Sequence, residues 1–322
     1  MSGPARAGAA RYWWLWVPVL PLAAWALIRT CGWERGSAMV AILAFTPYAA
    51  VAALLTAGVA LALRNWVAAA VATLATAAFL AAVLPRAIGS ETTAPEGRRT
   101  LTVLSANIHH GTADPAALVD LVRRLHPQLL SIQELTPSFA AALRTDGIGR
   151  LLPYGIVATR PDWGGRGVYS TLPLRPLSRV TVSTTDLPRL GVALPGGGTI
   201  RLIDVHPHTP VSGPEARWRV ALERLPSAGS GAPWLLVGDF NATLDHAALR
   251  AVIERGYRDA GEASGEGLEA TWPANRSYPP LITIDHVLAD RRLGIADYGV
   301  ADLPGSDHRA IHATIVLPSR LR

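Results

Sequence analysis

The sequence predicts an α/β sandwich preceded by three transmembrane helices, and three observations support this prediction. The N-terminal third contains three runs without a charged residue, of 17, 28 and 21 residues. From residue 100 the pattern changes to short apolar strands with few helices between them. These strands mostly lack the regular strand–helix–strand spacing of a doubly wound parallel sheet, which favours a sandwich. The chain has 322 residues, enough for an accessory region and one further domain.

The three uncharged runs predict transmembrane helices over residues 12–28, 38–63 and 66–85. A helix needs about 20 apolar residues to cross the hydrocarbon core, so the second and third runs are long enough and the first is marginal. A signal peptide is the alternative for the first run, but it has a single short apolar region. Here two more spans follow, and Trp13, Trp14 and Trp16 suit the headgroup zone.

The remaining chain divides into a tail, a linker and one domain. Residues 1–11 form the N-terminal tail, residues 86–99 are polar with Gly and Pro and predict a linker, and the domain covers 100–318. Strands are predicted over 102–107, 129–134, 155–159, 178–184, 199–206, 234–239, 282–288 and 311–317. Helices are predicted from Asp114–Pro115 to Pro127 and near 214–225 and 246–256. Cys31 is the single cysteine, which excludes an intrachain disulfide.

The basic excess lies in the segments that flank the membrane. All 30 basic residues are arginine, and the net charge is +5 over residues 1–99 and +1 over residues 100–322. The domain therefore lacks the overall positive charge with which duplex binders neutralise phosphates, so nucleic acid is the less favoured partner. A tally of the flanking arginines leans slightly towards a cytoplasmic domain without deciding its side.

Polar residues recur where the predicted strands end. These residues are Asn107, Glu134, His206, Asp239, Asn241, Asp285, Asp307 and His308. Each alone is more typical of a turn than of catalysis, but together they supply carboxylates, amides and imidazoles without thiols. Hydrolysis of a phosphate ester needs a hard divalent cation held by oxygen ligands, a base for water and donors to the oxyanion. A zinc pair at His206 and His208 lacks an evident third ligand.

Six segments occur in an order that resembles a known superfamily. They are SANIHHG at 105–111, SIQEL at 131–135, VHPH at 205–208, GDFNAT at 238–243, TIDHVL at 283–288 and SDHRAI at 306–311. In combination they resemble the endonuclease/exonuclease/phosphatase superfamily, the DNase I-like metal-dependent phosphoesterases. The resemblance covers residues 100 to 317 and implies a four-layered α/β sandwich with its site at one edge of two packed sheets.

The resemblance implies a role for each matching residue. Glu134 would be the main ligand of Mg²⁺ or Mn²⁺, helped by Asn107 and Asp307. Asp239 would orient or deprotonate the attacking water, and Asn241 would donate a hydrogen bond to a phosphoryl oxygen.

The two imidazoles implied by the resemblance are those of His206 and His308. They would flank the phosphate, with Asp285 fixing the tautomer of His206. Many relatives carry Asp or Asn where this chain has His109. Whether this chain has a second metal position, and how it contacts the phosphate, are therefore left open. Arg166, in GRGVYS, could meet a phosphate, but a solvated loop charge is the favoured interpretation. The candidates for substrate binding are thus His109, Arg166 and His208.

The superfamily includes nucleases, inositol-phosphate phosphatases and sphingomyelinases, so the fold does not select the substrate. A linker of about 14 residues reaches roughly 20 Å, which would keep the site near the headgroups and favours a lipid-linked phosphate. The arrangement is similar to actinobacterial membrane proteins of the teicoplanin-resistance type. That similarity implies a multi-pass membrane protein with an extracytoplasmic domain that acts in lipid-carrier recycling or glycopeptide resistance, on a lipid-linked phosphate or pyrophosphate such as undecaprenyl pyrophosphate. The alternatives are an extracellular nuclease or phosphodiesterase and an inactive binding module, and no protein partner is inferred.

Overall fold

A computed structural model describes residues 12–90, 98–177 and 189–319. Within residues 12–90 the chain forms a short 3-10 turn, Trp13–Leu15, followed by four α-helices. These are α1 (Trp16–Cys31), α2 (Ser37–Leu43), α3 (Thr46–Ala62) and α4 (Trp66–Ile88). Two segments, Trp13–Cys31 and Trp66–Ile88, are long and apolar enough to cross a membrane, and a third span exists if the bent pair α2 and α3 is counted as one.

The single helix predicted over 38–63 is instead two helices bent by 67° at their junction. Pro47 lies in the first turn of α3 and explains the break. Proline has no N–H to continue the hydrogen bonding of α2, and its ring would clash with the carbonyl group four residues earlier, at Leu43, in a continuous helix. The uncharged run is therefore a short helix at an angle to a longer one.

Helix α4 continues to Ile88, three residues into the segment 86–99 that was predicted to be a linker. Arg86 is consequently helical and buried, with 3% of its surface exposed. Residues 91–97 of the predicted linker lie outside the described residues.

The rest of the described chain forms two six-stranded sheets and six further helices. The strands are β1 (Thr100–Asn107), β2 (Leu129–Gln133), β3 (Tyr154–Ala158), β4 (Arg166–Ser170), β5 (Leu174–Pro176), β6 (Arg189–Ala193), β7 (Thr199–Val205), β8 (Trp234–Asp239), β9 (Tyr257–Asp259), β10 (Asp285–Asp290), β11 (Gly294–Ala301) and β12 (Ala310–Val316). The helices are α5 (Pro115–Leu125), α6 (Pro137–Thr145), α7 (Ile148–Leu151), α8 (Glu215–Glu223), α9 (Ala247–Glu254) and α10 (Ala260–Ser264). The strand orders are β11-β12-β1-β2-β4-β3 and β5-β6-β7-β8-β10-β9.

The predicted sandwich of sheets is confirmed. One apolar core lies between the sheets, with residues such as Val103 and Leu129 of the first sheet against Leu235 and Val287 of the second. Helices α5 and α6 cover the outer face of the first sheet, and α8 and α9 cover that of the second. The result is four layers.

Seven predicted strands occur within a few residues of their expected bounds, and the eighth, 178–184, falls in the undescribed segment 178–188. The sequence did not predict β4, β5, β6, β9 or β11, because short strands rich in Gly, Arg or Asp lack an alternating pattern. The predicted start of α5 is confirmed, since the Asp114 side chain accepts a hydrogen bond of 2.9 Å from the N–H of Ala116.

Two parallel strand pairs determine where the polar strand ends meet. In the first sheet β1 and β2 run parallel with Asn107 opposite Gln133, and in the second β7 and β8 run parallel with Val205 opposite Gly238. Gly238 has φ 140°, and an added Cβ would overlap the carbonyl oxygen of Val205. Only glycine permits this close approach, which brings the residues after β7 and β8 side by side.

The N-terminal helices dock on the second sheet's side of the domain through buried polar contacts. Asp245, which has no exposed surface, accepts hydrogen bonds from Arg86 at 2.8 and 2.6 Å and from Arg29 at 3.1 Å. Glu34, in the loop between α1 and α2, accepts a hydrogen bond from the N–H of Ala247, the first residue of α9. The carboxylate therefore caps a helix of the domain, where the helix dipole favours negative charge.

Candidate active site

Asp239, at the end of β8, is the centre of the polar cluster. Its Oδ1 accepts a hydrogen bond of 2.7 Å from the N–H of Asn241, and its Oδ2 accepts one of 3.1 Å from Asn107 Nδ2. Burial, together with the nearby carboxylates of Asp285 and Glu134, raises the pKa of Asp239 to about 7 even though His308 acts in the opposite direction. A carboxylate with a pKa near neutrality is suited to accept a proton.

Asn107 connects the two sheets across this edge. Its Nδ2 donates to Asp239 Oδ2 at 3.1 Å and to Glu134 Oε1 at 3.3 Å. Its Oδ1 accepts a 3.0 Å hydrogen bond from the N–H of His109, which fixes the orientation of the amide. The amide nitrogen faces the carboxylates and the amide oxygen faces the N–H of His109; the role of Asn107 as a metal ligand stays a prediction.

The expectation that Asp285 fixes the tautomer of His206 is wrong. Asp285 Oδ2 lies 2.9 Å from Nδ1 of His308. The pairing arises because Asp285 begins β10 directly opposite Asp239, so its carboxylate faces the loop before β12 that carries His308. Burial alone would lower the pKa of His308, but the charges of Asp285 and Asp239 raise it to about 10. The imidazole is thus a cation at neutral pH.

His206 has the opposite character. Its Nε2 lies 3.5 Å from Glu134 Oε1 and 3.6 Å from Asp239 Oδ2, and its buried Nδ1 has no hydrogen-bond partner within the described chain. Burial, reinforced by the positive charges of Arg166 and His308, holds the pKa of His206 well below its ordinary value. The site therefore pairs a neutral imidazole with a charged one.

Asp307 and His109 lie on the more solvent-exposed side of the polar cluster. Asp307 Oδ2 accepts a hydrogen bond of 3.1 Å from Trp272 Nε1, while its Oδ1 is 3.7 Å from His109 Nδ1 and 3.9 Å from His308 Nε2. The Asp307 side chain is 20% exposed, compared with 12% for Glu134. Both carboxylates thus remain accessible from the cavity.

Four residues of the site have a left-handed backbone, which is uncommon outside glycine. His109, His110, Glu134 and Asn241 have φ values of 46°, 53°, 61° and 49°. All four line the same cavity. Strained backbone of this kind persists only where the surroundings enforce it, and it concentrates at functional sites.

The two other candidates for substrate binding have different surroundings. Arg166 is not a solvated loop charge: it is buried in β4 and donates to the carbonyl oxygens of Asp204 at 3.0 Å and His206 at 2.6 Å. It therefore holds the end of β7. His208 lines the cavity and lies against Trp163, with ring centroids 4.3 Å apart.

These side chains open into a cavity of about 760 Å³. Its polar end is formed by Glu134, Asp239, Asn241, Asp307 and the histidines at 109, 110, 206, 208 and 308. Trp163 and Trp272 form aromatic walls, and the N–H of His110 donates to Glu134 Oε2 at 2.7 Å; no sequence pattern predicted these three residues. A further wall comes from the N-terminal helices and is formed by Val40, Ala41, Ala44 and Phe45.

The donor set fits a divalent cation. Glu134 Oε1 accepts only the 3.3 Å hydrogen bond from Asn107 among the described residues, and Asp307 Oδ1 accepts none of hydrogen-bond length there. Carboxylate oxygens with unused lone pairs suit Mg²⁺ or Mn²⁺. Asp239, Asp285 and His308 form a second buried group of possible metal ligands, whose ligand atoms lie within 4.8 Å of one another, but the charged imidazole of His308 would have to lose its proton to bind a metal ion.

The fold and the site together define a class: a two-sheet α/β protein whose sheet edge gathers carboxylates, amides and imidazoles suited to phosphate-ester chemistry. A model of the Endonuclease/Exonuclease/phosphatase family matches residues 104–308. The chain belongs to this family. A comparison with curated proteins finds no match.

Solved structures with this fold are similar over about two thirds of the chain. Humanized TDP2 of D. rerio is 17% identical, with 67% of this chain and 98% of that chain covered and a TM-score of 0.54. An endonuclease/exonuclease/phosphatase of Bacteroides vulgatus is 16% identical, with 69% and 100% covered and a TM-score of 0.51. A mannosyl-6-phosphatase of Bacteroides thetaiotaomicron is 18% identical, with 67% and 100% covered and a TM-score of 0.48. The similarity to the first two structures supports the fold.

Proposed function

We propose that this protein is a membrane-anchored, divalent-metal-dependent phosphoesterase that hydrolyses a lipid-linked phosphate or pyrophosphate, such as undecaprenyl pyrophosphate, at the membrane surface. The observation that carries the proposal is the convergence of Glu134, Asp239 and His308 on one cavity beside the N-terminal helices. A phosphoesterase needs metal-binding oxygens, a base and a cationic donor, and these residues supply one of each.

Glu134 and Asp307 would hold Mg²⁺ or Mn²⁺, which would offset negative charge on the phosphoryl oxygens. Asp239, with its pKa near 7, accepts the proton of the attacking water. The charged imidazole of His308, held by Asp285, donates towards a phosphoryl or leaving-group oxygen. Neutral His206 and the amide of Asn241 complete the donors around the phosphate.

The exposed apolar residues of the N-terminal helices support the membrane anchor. Leu55, Leu74 and Ile88 are 65%, 71% and 75% exposed, and many neighbours are similar. Apolar surface on this scale is typical of contact with lipid or another protein. The bilayer is therefore the proposed partner and the cell membrane the proposed location, with an extracytoplasmic domain preferred from the similarity to teicoplanin-resistance membrane proteins.

A panel of substrates tests the proposal. Detergent-solubilised full-length protein is incubated with Mg²⁺ or Mn²⁺ and polyprenyl pyrophosphate, sphingomyelin, inositol phosphates or plasmid DNA. Phosphate release from the polyprenyl substrate is expected, with loss on chelation and in Asp239→Ala. Asp120→Asn, which changes an exposed aspartate paired with Arg123, is the matched control and should retain full activity.

A nuclease or phosphodiesterase is the second candidate. A D. rerio TDP2 structure with this fold contains a single-strand DNA product. DNA cleavage without release of phosphate from any lipid substrate would favour this candidate and contradict the first.

A C-terminal reporter fusion that is active on only one side of the membrane determines the orientation of the domain.

A further inference from the structure

The bend between α2 and α3 forms one wall of the candidate active site. Val40, Ala41, Ala44 and Phe45, here called the bend wall, line the same cavity as Glu134 and Asp239. All four residues are apolar. Ile282 and Ile284 of the domain line the cavity as well. The cavity therefore has a polar end with the phosphoesterase residues and an apolar part with contributions from both regions.

Hydrogen bonds hold the bend wall against the domain. The carbonyl oxygen of Val40 lies 2.8 Å from His246 Nε2, and the Tyr48 hydroxyl donates to the carbonyl oxygen of Leu281 at 2.9 Å. Val40 also packs into the core beneath the second sheet, with 1% of its surface exposed. The wall is thus a fixed part of the site.

The bend wall continues into surface that suits lipid. Ile42 on α2 is 51% exposed, and Val51, Leu54 and Leu55 on α3 are 60%, 56% and 65% exposed. Residues 36–63, which include Phe45 and these side chains, contain no charged residue, and apolar surface of this kind favours contact with a hydrocarbon chain.

The lining of the cavity argues against a nucleic acid backbone as its occupant. All 30 basic residues of the chain are arginines, yet none of the described residues that line the cavity is an arginine. Grooves for nucleic acid combine a row of cationic side chains with stacking aromatics, and although Trp163, Trp272 and the charged His308 line this cavity, no arginine joins them in the described lining. A ligand with one phosphorylated end and an apolar remainder fits better.

We propose that the bend wall, with Ile282 and Ile284, is the subsite for the part of a single hydrocarbon chain that follows its first five carbons, with the phosphate or pyrophosphate of that chain against Glu134 and Asp239. This assignment rests on the proposed phosphoesterase function. The volume of about 760 Å³ lies within the range of roughly 300–1,000 Å³ typical of small-ligand pockets. The cavity therefore accepts the headgroup and the beginning of one chain, and the rest of the chain stays in the bilayer.

Two diphosphates that differ only in their chain test the subsite. Detergent-solubilised full-length protein with Mg²⁺ is assayed on dimethylallyl diphosphate, with five carbons, and farnesyl diphosphate, with fifteen. The wild type is expected to show a kcat/KM at least about tenfold higher for farnesyl diphosphate, because only the longer chain fills the apolar wall. Equal kcat/KM for the two substrates would overturn the subsite and leave the phosphoesterase function intact.

Two variants, one in the bend wall and one on the exposed face of α3, show whether the preference for the longer chain depends on the bend wall. Ala41→Trp fills the subsite and should lower kcat/KM for farnesyl diphosphate by about tenfold while changing that for dimethylallyl diphosphate by less than about threefold. Ala52→Trp, on the exposed face of α3, is the matched control and should leave both substrates unaffected. Equal losses in both variants, or on both substrates, would overturn the proposal.

Phe45→Ala is the second variant, and it decides the question if Ala41→Trp does not fold. It should raise KM for farnesyl diphosphate and leave KM for dimethylallyl diphosphate unchanged. Faster hydrolysis of phosphatidic acid, which has two chains, than of farnesyl diphosphate would overturn the single-chain assignment. If wild type releases phosphate from no substrate, the proposed function itself fails, a result distinct from activity without chain preference.

Discussion

Asp239 and Asp245 lie six residues apart in the segment GDFNATLD, and both are buried, but they have opposite surroundings. Asp245 accepts hydrogen bonds from two arginines of the N-terminal helices, Arg86 and Arg29. Asp239 lies among other carboxylates and amides at the cavity, and its pKa is raised to about 7.

The difference shows what separates a structural carboxylate from a reactive one. A buried charge with its counterions and hydrogen bonds complete holds two regions together, and removing it leaves other charges unpaired. A buried carboxylate that is incompletely compensated is poised to exchange a proton. Burial alone does not distinguish the two, because the identity of the neighbours decides.

The largest effect on stability is expected at Asp245. Asp245→Asn leaves Arg86 and Arg29 without their counterion and should lower the free energy of unfolding by about 3–5 kcal/mol. Chemical denaturation of the full-length protein in detergent measures this. Asp120→Asn, at an exposed pair with Arg123, should change stability by less than about 1 kcal/mol. A loss at Asp245 no larger than at Asp120 would contradict the proposed role of the buried contact.

The pH dependence of stability should be dominated by His308. Its folded pKa of about 10 lies above the value of 6.5 for an unperturbed histidine, so its contribution is complete below pH 6.5 and is lost as pH rises through about 10. The slope can reach about 1.4 kcal/mol per pH unit between these limits. Unfolding in the presence of a chelator should show this decline in the wild type. His308→Gln should lack most of it, and parallel curves for the two proteins would refute the assignment.

Two buried Asp–His pairs separate catalysis from packing. Asp285 is 2.9 Å from His308 at the cavity, and Asp259 is 2.8 Å from His286 away from it. Asp285→Asn should lower kcat by about 100-fold because the charge that keeps His308 protonated is lost. Asp259→Asn should lower stability but leave kcat of the folded protein within a few-fold. Similar losses of kcat in both variants would show that packing explains the effect.

The smallest effect is expected at the outer wall of the cavity. His208 lies against Trp163, and its contribution is that of a ring contact, about 0.5–1.5 kcal/mol. His208→Ala should therefore raise KM by a few-fold and leave kcat nearly unchanged in steady-state assays. A loss of kcat as large as that in Asp285→Asn would place His208 among the reacting groups.

Local patterns predicted the polar strand ends of the site because parallel strands terminate together at one sheet edge. Asn107, Glu134, His206 and Asp239 follow buried strands, and the structure brings them together. The pairing of Asp285 with His308 was not predictable in this way. It depends on the register between β8 and β10, which no local pattern contains.

Long-range packing accounts for other differences between the predictions from the sequence and the structure. Arg166 is charged and follows two glycines, which is typical of a loop, but it is buried because backbone carbonyls accept its hydrogen bonds. The contribution of Phe45 to the cavity depends on how the N-terminal helices dock on the domain. Pro47, by contrast, is a local signal for the break between α2 and α3 that the hydropathy pattern concealed.

Asp239, unlike Asp245, is a buried carboxylate whose role is catalytic and not structural. Asp239→Asn tests this role most directly when phosphate release and unfolding are measured on the same preparation. We expect kcat to fall by about 1,000-fold, while the free energy of unfolding stays equal or rises because the amide relieves repulsion from Asp285 and Glu134. Retention of activity, or a loss of activity that only follows a loss of stability, would contradict it.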